Sequence, residues 1–308
     1  MTTSAATVSL NRDAVLGVMF ALFAAVGFSG KAILVKLAYL YHVDAITLLA
    51  LRMTFAVPFF IGVAVWSRMH HAKPLNRHDW LLVLGLGLIG YYLSSLFDFL
   101  GLQYISAGLE RLILFLYPTM TVILTALLYK RPISGKVRAA MALSYAGIAL
   151  VFLHDVGIKQ GGSVVLGSSL VFLSTLSYSS YLVGAGHAIA RIGATRFTAY
   201  AMIVASLACL LQFFVMRPLS ALELPLQVYE LSIAMALFST VLPVFLLAYA
   251  IHRIGSDVTS LIGSIGPVST LALAYVFLHE HLSLLQIFGA SLVMTGVLIV
   301  SLNSRKAV

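Results

Sequence analysis

The chain has 308 residues, of which 61% are hydrophobic and only 9% charged, and its mean hydropathy is +1.04. A water-soluble domain carries roughly 25% charged residues, so this composition excludes a soluble fold and requires lipid around most of the surface. The net charge of +9 is read as loop charge, because cytoplasmic loops of membrane proteins collect Lys and Arg, and no nucleic-acid partner is expected. Cys209, the single cysteine, sits in an apolar run. An intrachain disulfide and a thiolate metal site are thereby excluded, and packing is its expected role.

The segment Met1–Asp13 is polar and has no apolar core, so no cleavable signal peptide is expected. Windows of about 20 apolar residues, the length that crosses a bilayer, predict ten spans. They lie near 14–37, 44–66, 79–100, 106–128, 135–153, 164–185, 195–216, 228–251, 257–278 and 283–302. The first contains VGFSGKAILV. G-F-S-G is how a rhomboid-type intramembrane protease displays its serine, but that chemistry needs a histidine deep in another helix. Every histidine here lies in a loop or near a predicted helix end, so Ser29 is expected to be a small packing residue. Lys31 lies roughly 9 Å below the outer end of its span at 1.5 Å per residue. It either snorkels to the interface or faces a cavity. Arg52 and Arg111 lie nearer the outer ends of the second and fourth spans, and snorkelling is expected for Arg111.

Spans three and four carry the more telling charges. A charge at mid-bilayer costs about 2.5–3.5 kcal/mol on insertion scales, and the short carboxylates Asp98 and Glu110 snorkel poorly. Tyr91, Ser95 and Asp98 share one face of the third span; Glu110, Leu114, Tyr117, Thr121 and Thr125 share one face of the fourth. A polar stripe faces protein or water, so these two spans are expected to line a wet cavity, with a Glu110–arginine ion pair as the structural alternative. Spans eight and nine contain Ser239, Thr240 and Pro243, then Ser260, Gly263, Ser264, Gly266 and Pro267. Pro118, Pro243, Gly266 and Pro267 are candidate hinges, or simple kinks. Two further motifs carry no site. The histidines of HEH at 279–281 stand at i and i+2, on different helix faces, and GSIGP at 263–267 follows no strand. No metal or cofactor is expected.

With the N-terminus inside, thirteen Lys and Arg fall on the cytoplasmic side: Arg12, Arg68, Lys73, Arg77, Lys130, Arg131, Lys136, Arg138, Arg191, Arg196, Arg253, Arg305 and Lys306. Lys36, Lys159 and Arg217 fall outside. This bias places both termini in the cytoplasm, as in a bacterial inner-membrane protein.

A self-comparison shows an internal repeat. At an offset of 149, Ile105 meets Ile254, Leu112 and Ile113 meet Leu261 and Ile262, Pro118 meets Pro267, and Thr121 meets Thr270. Ser134 then meets Ser283, and Gly147 meets Gly296; at an offset of 150, Phe28 and Ser29 meet Tyr178 and Ser179. Five spans per repeat is an odd number, so the second repeat enters the membrane inverted. The fold class expected is an all-α integral membrane protein of ten transmembrane helices in two inverted five-helix repeats. The divisions are a tail at 1–12, repeats at 13–155 and 156–303, and a tail at 304–308. Inverted repeats are a plan of secondary transporters that hold substrate near the midplane.

The Pro118 and Pro267 helices, the run FLHEHLSLLQIFGASLVMTGVLIVSL and the run LLALRMTFAVPFF resemble EamA-type members of the drug/metabolite transporter superfamily over nearly the whole chain. The resemblance implies two inverted units and export of amino acids or other small metabolites from bacteria. Within it the nearest likeness is to the YddG-like exporters of aromatic amino acids. It singles out Arg52 in the second span and Glu280 after the ninth. The first repeat departs from the pattern, with Arg131 where a glutamate is usual.

The function expected is therefore a secondary transporter of small metabolites that works by alternating access, with the bilayer and a small-molecule substrate as its partners and a monomer as a workable unit. A zwitterion needs a cation for its carboxylate and an anion for its ammonium. Lys31, Asp98 and Glu110, with Arg111 nearby, supply both; Tyr91, Tyr117 and Tyr178 suit an aromatic side chain, and Ser95 lies among them. The alternatives are another metabolite class or a drug-like cation, and, in different functional classes, an intramembrane enzyme or a passive channel. Nothing resembles an ATP-binding motif, so active export would draw on a gradient.

Overall fold

Inside a bilayer no water is available to bond the backbone, and the apolar runs satisfy their own N–H and C=O groups as helices. The computed structural model describes residues 12–70, 74–130, 132–158, 162–280 and 283–304. Ten helices in it are long and apolar enough to cross a membrane. They are α1 (Asp13–Tyr39), α2 (Ala45–Met69), α3 (Arg77–Leu102), α4 (Ala107–Tyr129), α5 (Gly135–Gly157), α6 (Ser163–Ile192), α7 (Ala194–Met216), α8 (Leu226–Gly255), α9 (256–278, with the crossing length at Leu261–Leu278) and α10 (Leu284–Leu302). Among the residues used above to set orientation, Lys73, Arg131, Lys159, Arg305 and Lys306 lie outside the described residues, as do His281 and most of both tails.

Local chemistry fixes the helix ends. Asn76 and Asp79 form a reciprocal cap at the start of α3. Ser106 caps α4 by accepting from the Leu109 N–H at 3.2 Å. Ser283 and Gln286 cap α10 reciprocally, at 3.0 and 3.1 Å, and Ser134 accepts from the Val137 N–H at 3.4 Å at the start of α5. Each of these side chains satisfies an N–H that the helix itself leaves unpaired.

The repeat seen in the sequence is also a repeat of irregularities. α3 contains a π-helical turn at Leu88–Leu93, and α8 contains one at Leu237–Val241. α4 breaks at Phe115 and Leu116, and α9 at Ser264 and Ile265. Lys130 and His279, which end α4 and α9, both adopt left-handed backbone, with φ of 51° and 53°. Each pair is separated by the 149-residue offset of the repeat. Pro118 and Pro267 begin the second arms of the two broken helices, and Pro243 begins the α-helical stretch after the α8 turn. Between α8 and α9, Gly255 turns the chain with φ of 78°, a conformation that costs glycine little.

The two repeats interlock. α1 packs along α8 and α9, while its counterpart α6 packs along α3 and α4; α2 pairs with α7, and α5 with α10. The α5–α10 contact is so close that a Cβ on Gly147 would fall 2.6 Å from the Gly289 carbonyl oxygen. Small residues that let backbones touch are the usual basis of helix association in lipid. Large apolar side chains point outward, among them Leu127 (71% exposed) and Val215 (76%), a surface suited to lipid rather than water. Cys209 is buried at the α2–α7 contact.

Candidate functional site

The intramembrane charges converge on one cluster contributed by α1, α3 and α4. Lys31 Nζ donates a short hydrogen bond to Asp98 Oδ2 and lies 3.1 Å from Glu110 Oε1. Glu110 is fully buried and Asp98 nearly so, whereas the lysine side chain is 17% exposed. Lys31 therefore does not reach up to the interface. Its ammonium is held inside the bundle by two carboxylates, and Glu110 pairs with this lysine rather than with an arginine. The other Asp98 oxygen and both Glu110 oxygens lack a hydrogen-bond partner among the described residues. Arg52 stacks on the Phe99 ring, 5.2 Å from its centroid, with Asp98 within range of its charge.

A wall of tyrosines lies on the same helices, Tyr91 and Tyr117 each seven residues along the chain from Asp98 and Glu110. Tyr117 meets Tyr178 edge-on at 5.6 Å, Tyr178 stacks on Tyr181 at 5.7 Å, and the Tyr91 and Tyr181 hydroxyls are 2.9 Å apart. Three of these rings were legible as candidates. Tyr181, the one that joins Tyr91 to Tyr178, was missed, although its i+3 spacing from Tyr178 puts both on one face of α6. At the 150-residue offset Tyr181 occupies the position of Lys31, so the second repeat supplies an aromatic where the first supplies a charge. Gly90, in the α3 turn, is seated against the Tyr181 ring with no room for a Cβ. Ser95 is half-buried and makes no hydrogen bond among the described residues; its neighbour Ser94 bonds Ser174 on α6 instead, at 3.1 Å. The extra residue of the π-helical turn changes the face that follows it, which an unbroken 3.6-residue period does not anticipate.

Ser29 is a packing residue. Its hydroxyl lies 2.7 Å from the Ala25 carbonyl oxygen and 3.0 Å from that of Gly266, at the α9 break. Ser179 makes the matching contacts, 2.8 Å to the Thr175 carbonyl and 3.2 Å to that of Tyr117, at the α4 break. A polar contact that recurs in both repeats is a helix joint, not a nucleophile.

The two broken helices have unlike surroundings. The first arm of α4, on the face away from the chain termini, is buried, with Leu109 at 0% and Leu112 at 1% exposure. The matching residues of α9, Val258 and Leu261, are 43% and 41% exposed. At the buried end, Glu280 accepts from the Ala107 N–H at 3.1 Å and the Gly108 N–H at 3.5 Å. Asp155 accepts there from Ser106 and from Gln286, at 3.2 and 3.1 Å. On the termini side a crevice opens between α4, α9 and α10, lined by Tyr117, Pro118, Leu261, Ser264, Leu298 and Ser301 among others. The crevice reaches Tyr117, one ring of the tyrosine wall, from the termini side.

Comparison with known proteins agrees with this architecture. Residues 15–153 and 165–302 each match the EamA-like transporter family. The chain is 30% identical over 293 residues to the uncharacterized transporter YcbK of Bacillus subtilis, covering 92% of this chain and 93% of that one. It is 24% identical over 301 residues to an uncharacterized transporter of Synechocystis, at 90% and 91% coverage. A crystal structure with 17% identity superposes with a TM-score of 0.62 over 94% of this chain and 98% of the other, a likeness of fold alone. Two matched copies that together span most of the sequence, on a bundle of ten membrane-crossing helices, place the chain in the EamA-like transporter family.

Proposed function

We propose that this transporter exports amino acids with aromatic or other hydrophobic side chains by alternating access around the charge cluster and tyrosine wall of α1, α3, α4 and α6. The observation that carries the reading is a buried cluster of both charge signs on the same helices, about two turns along α3 and α4, as a wall of tyrosines, with Arg111 between them near enough for Tyr117 and Tyr178 to feel its charge. A small zwitterion with an apolar side chain is complementary to that pair of surfaces. The π-helical turns and the breaks near Pro118, Pro243, Gly266 and Pro267 are the joints expected to flex, because such irregularities absorb backbone change at low cost. The asymmetry between α4 and α9 fits a state open toward the termini, and exchange of those two environments would open the opposite face. The positive-inside pattern supports a termini side that faces the cytoplasm of a bacterial inner membrane.

The test is efflux of radiolabelled phenylalanine, leucine and lysine from liposomes holding the purified protein, with and without a pH gradient. Saturable efflux and counterflow of the first two supports the reading. Efflux that is linear in concentration points to a passive pore, and indifference to all three amino acids points to another metabolite class. Orientation is checked with a thiol reagent that does not cross membranes. A cysteine at Leu219, 66% exposed between α7 and α8, should react from outside the cell, and one at Thr195 should not.

A further inference from the structure

Arg111 stands apart from the other intramembrane cations. It follows Glu110 in α4, so its side chain points roughly 100° away around the helix from that carboxylate. No salt bridge or hydrogen bond to it occurs among the described residues, and its buried Nε has no partner. The charges beside it have other occupations. Lys31 serves Asp98 and Glu110, and Arg52 is stacked on Phe99 with Asp98 within range of its charge. Three cations and two carboxylates leave a net positive charge, and Arg111, with Glu110 within range of its charge, has neither an ion pair nor a ring beneath it among the described residues. Tyr117 and Tyr178 lie near enough to feel its charge. Its guanidinium rests on the α9 break, where a Cβ on Gly266 would fall 2.5 Å from Nη2. The repeat makes the specialisation visible. At the 149-residue offset Arg111 meets Ser260 and Tyr117 meets Gly266, so one repeat supplies the cation and a ring while the other supplies the glycine that gives them room.

We propose that Arg111 is the anion-binding group of the transport cavity and takes the carboxylate of the substrate, with Gly266 as its seat and Tyr117 and Tyr178 beside the substrate's apolar body. This rests on the transporter reading above and reassigns carboxylate recognition from Lys31, which the fold has already committed. A guanidinium receives a carboxylate through two parallel N–H donors. The substrate class is a carboxylate-bearing molecule with an aromatic or hydrophobic body, and Asp98 Oδ1 and Glu110 Oε2, the oxygens not paired with Lys31, are available to an ammonium where one is present.

The test uses the full-length protein in liposomes with three probes that share one aromatic body: L-phenylalanine, L-phenylalaninamide and 3-phenylpropanoate. Uptake of each and its competition against the others are measured for wild type, Arg111→Gln, Arg111→Lys and Gly266→Ala. In wild type, both carboxylate-bearing probes should compete at least 10-fold better than the amide. Loss of a charge-assisted contact should weaken the two carboxylates by about 10- to 100-fold in Arg111→Gln while leaving the amide within 2-fold. Arg111→Lys should recover part of the loss. Gly266→Ala, which keeps the arginine but crowds its seat, should lose carboxylate preference in the same direction.

An unchanged preference for carboxylates in Arg111→Gln, or equal loss of all three probes, overturns the assignment while leaving amino acid transport standing. Transport of 3-phenylpropanoate but not phenylalanine, dependent on Arg111, overturns the amino acid reading and keeps the subsite. Failure of wild type to take up or compete with any probe overturns both.

Discussion

Replacing Lys31 by methionine removes the ammonium that two buried carboxylates share. At 3.1 Å from Glu110, and with an effective dielectric of about 20, one such pair attracts by roughly 5 kcal/mol before desolvation is counted. Asp98 contributes a second pair. Both carboxylates then remain inside the bundle with no counter-ion in contact, and breaking a buried pair from one side costs about 3–5 kcal/mol. Large domains lose about 2–4 °C of Tm per kcal/mol, so Lys31→Met should unfold about 6–20 °C lower in detergent, by a thermal melt of purified protein. Lys31→Met/Asp98→Asn/Glu110→Gln should recover most of that loss, because no uncompensated charge is left behind and residues in one network do not act additively. If Lys31→Met melts within a degree or two of wild type, the ammonium is not confined among these carboxylates. A triple variant whose losses simply add refutes the cluster as an energetic unit.

Asp44, in the turn before α2, provides a pH dependence outside the spans. Burial pushes its carboxyl upward, but hydrogen bonds from Thr47 and Arg217 outweigh that effect and hold it below the usual range. With the folded-state value depressed, its contribution is fully present above the unfolded value of about 3.9 and is lost as pH falls through the folded value. The melting difference between wild type and Asp44→Asn should therefore be largest at neutral pH and vanish in acid; a gap that widens in acid contradicts the sign. Ser29→Ala should transport within about 2-fold of wild type, since hydrogen bonds between membrane helices average only about 0.6 kcal/mol. Ser29→Leu should fail to fold or transport, because the serine sits against the α9 backbone; full inactivation by alanine at normal expression would restore a chemical role. Glu280→Gln should weaken the cap on α4 by about 1 kcal/mol and speed amide exchange at Ala107 and Gly108 about 5-fold, and unchanged exchange would show that the cap is idle.

How much of this was legible depends on which physical signal carried it. The ten spans and their pseudo-symmetry follow from apolar run length and from residues such as Pro118 and Pro267 that punctuate the helices alike. The convergence of Lys31, Asp98 and Glu110 was legible only in part. Each is anomalous inside a membrane by cost alone, but which of them pair depends on the crossing of α1 with α3 and α4, and single-residue reasoning contains no crossing. The same gap made Arg111 look like a snorkelling residue, when its place is set by Gly266 in the other repeat. The π-helical turns were invisible, since the α3 turn, LIGYYL, has no proline or other breaker apart from Gly90. An unbroken helical period therefore singles out Ser95, whereas it is Ser94 that bonds Ser174. The signal for Tyr181 is its i+3 spacing from Tyr178 on one helix face.

The proposal that the tyrosine wall binds substrate and is reached from each membrane face in turn makes a direct prediction. It is tested by placing a cysteine at Tyr178 in a Cys209→Ser background and following its reaction with a membrane-impermeant thiol reagent. The rate is measured in right-side-out and in inside-out vesicles, with and without phenylalanine. The account predicts reaction from both faces, faster from the termini side, with phenylalanine slowing both. Reaction from neither face, or at rates that phenylalanine leaves unchanged, would contradict it.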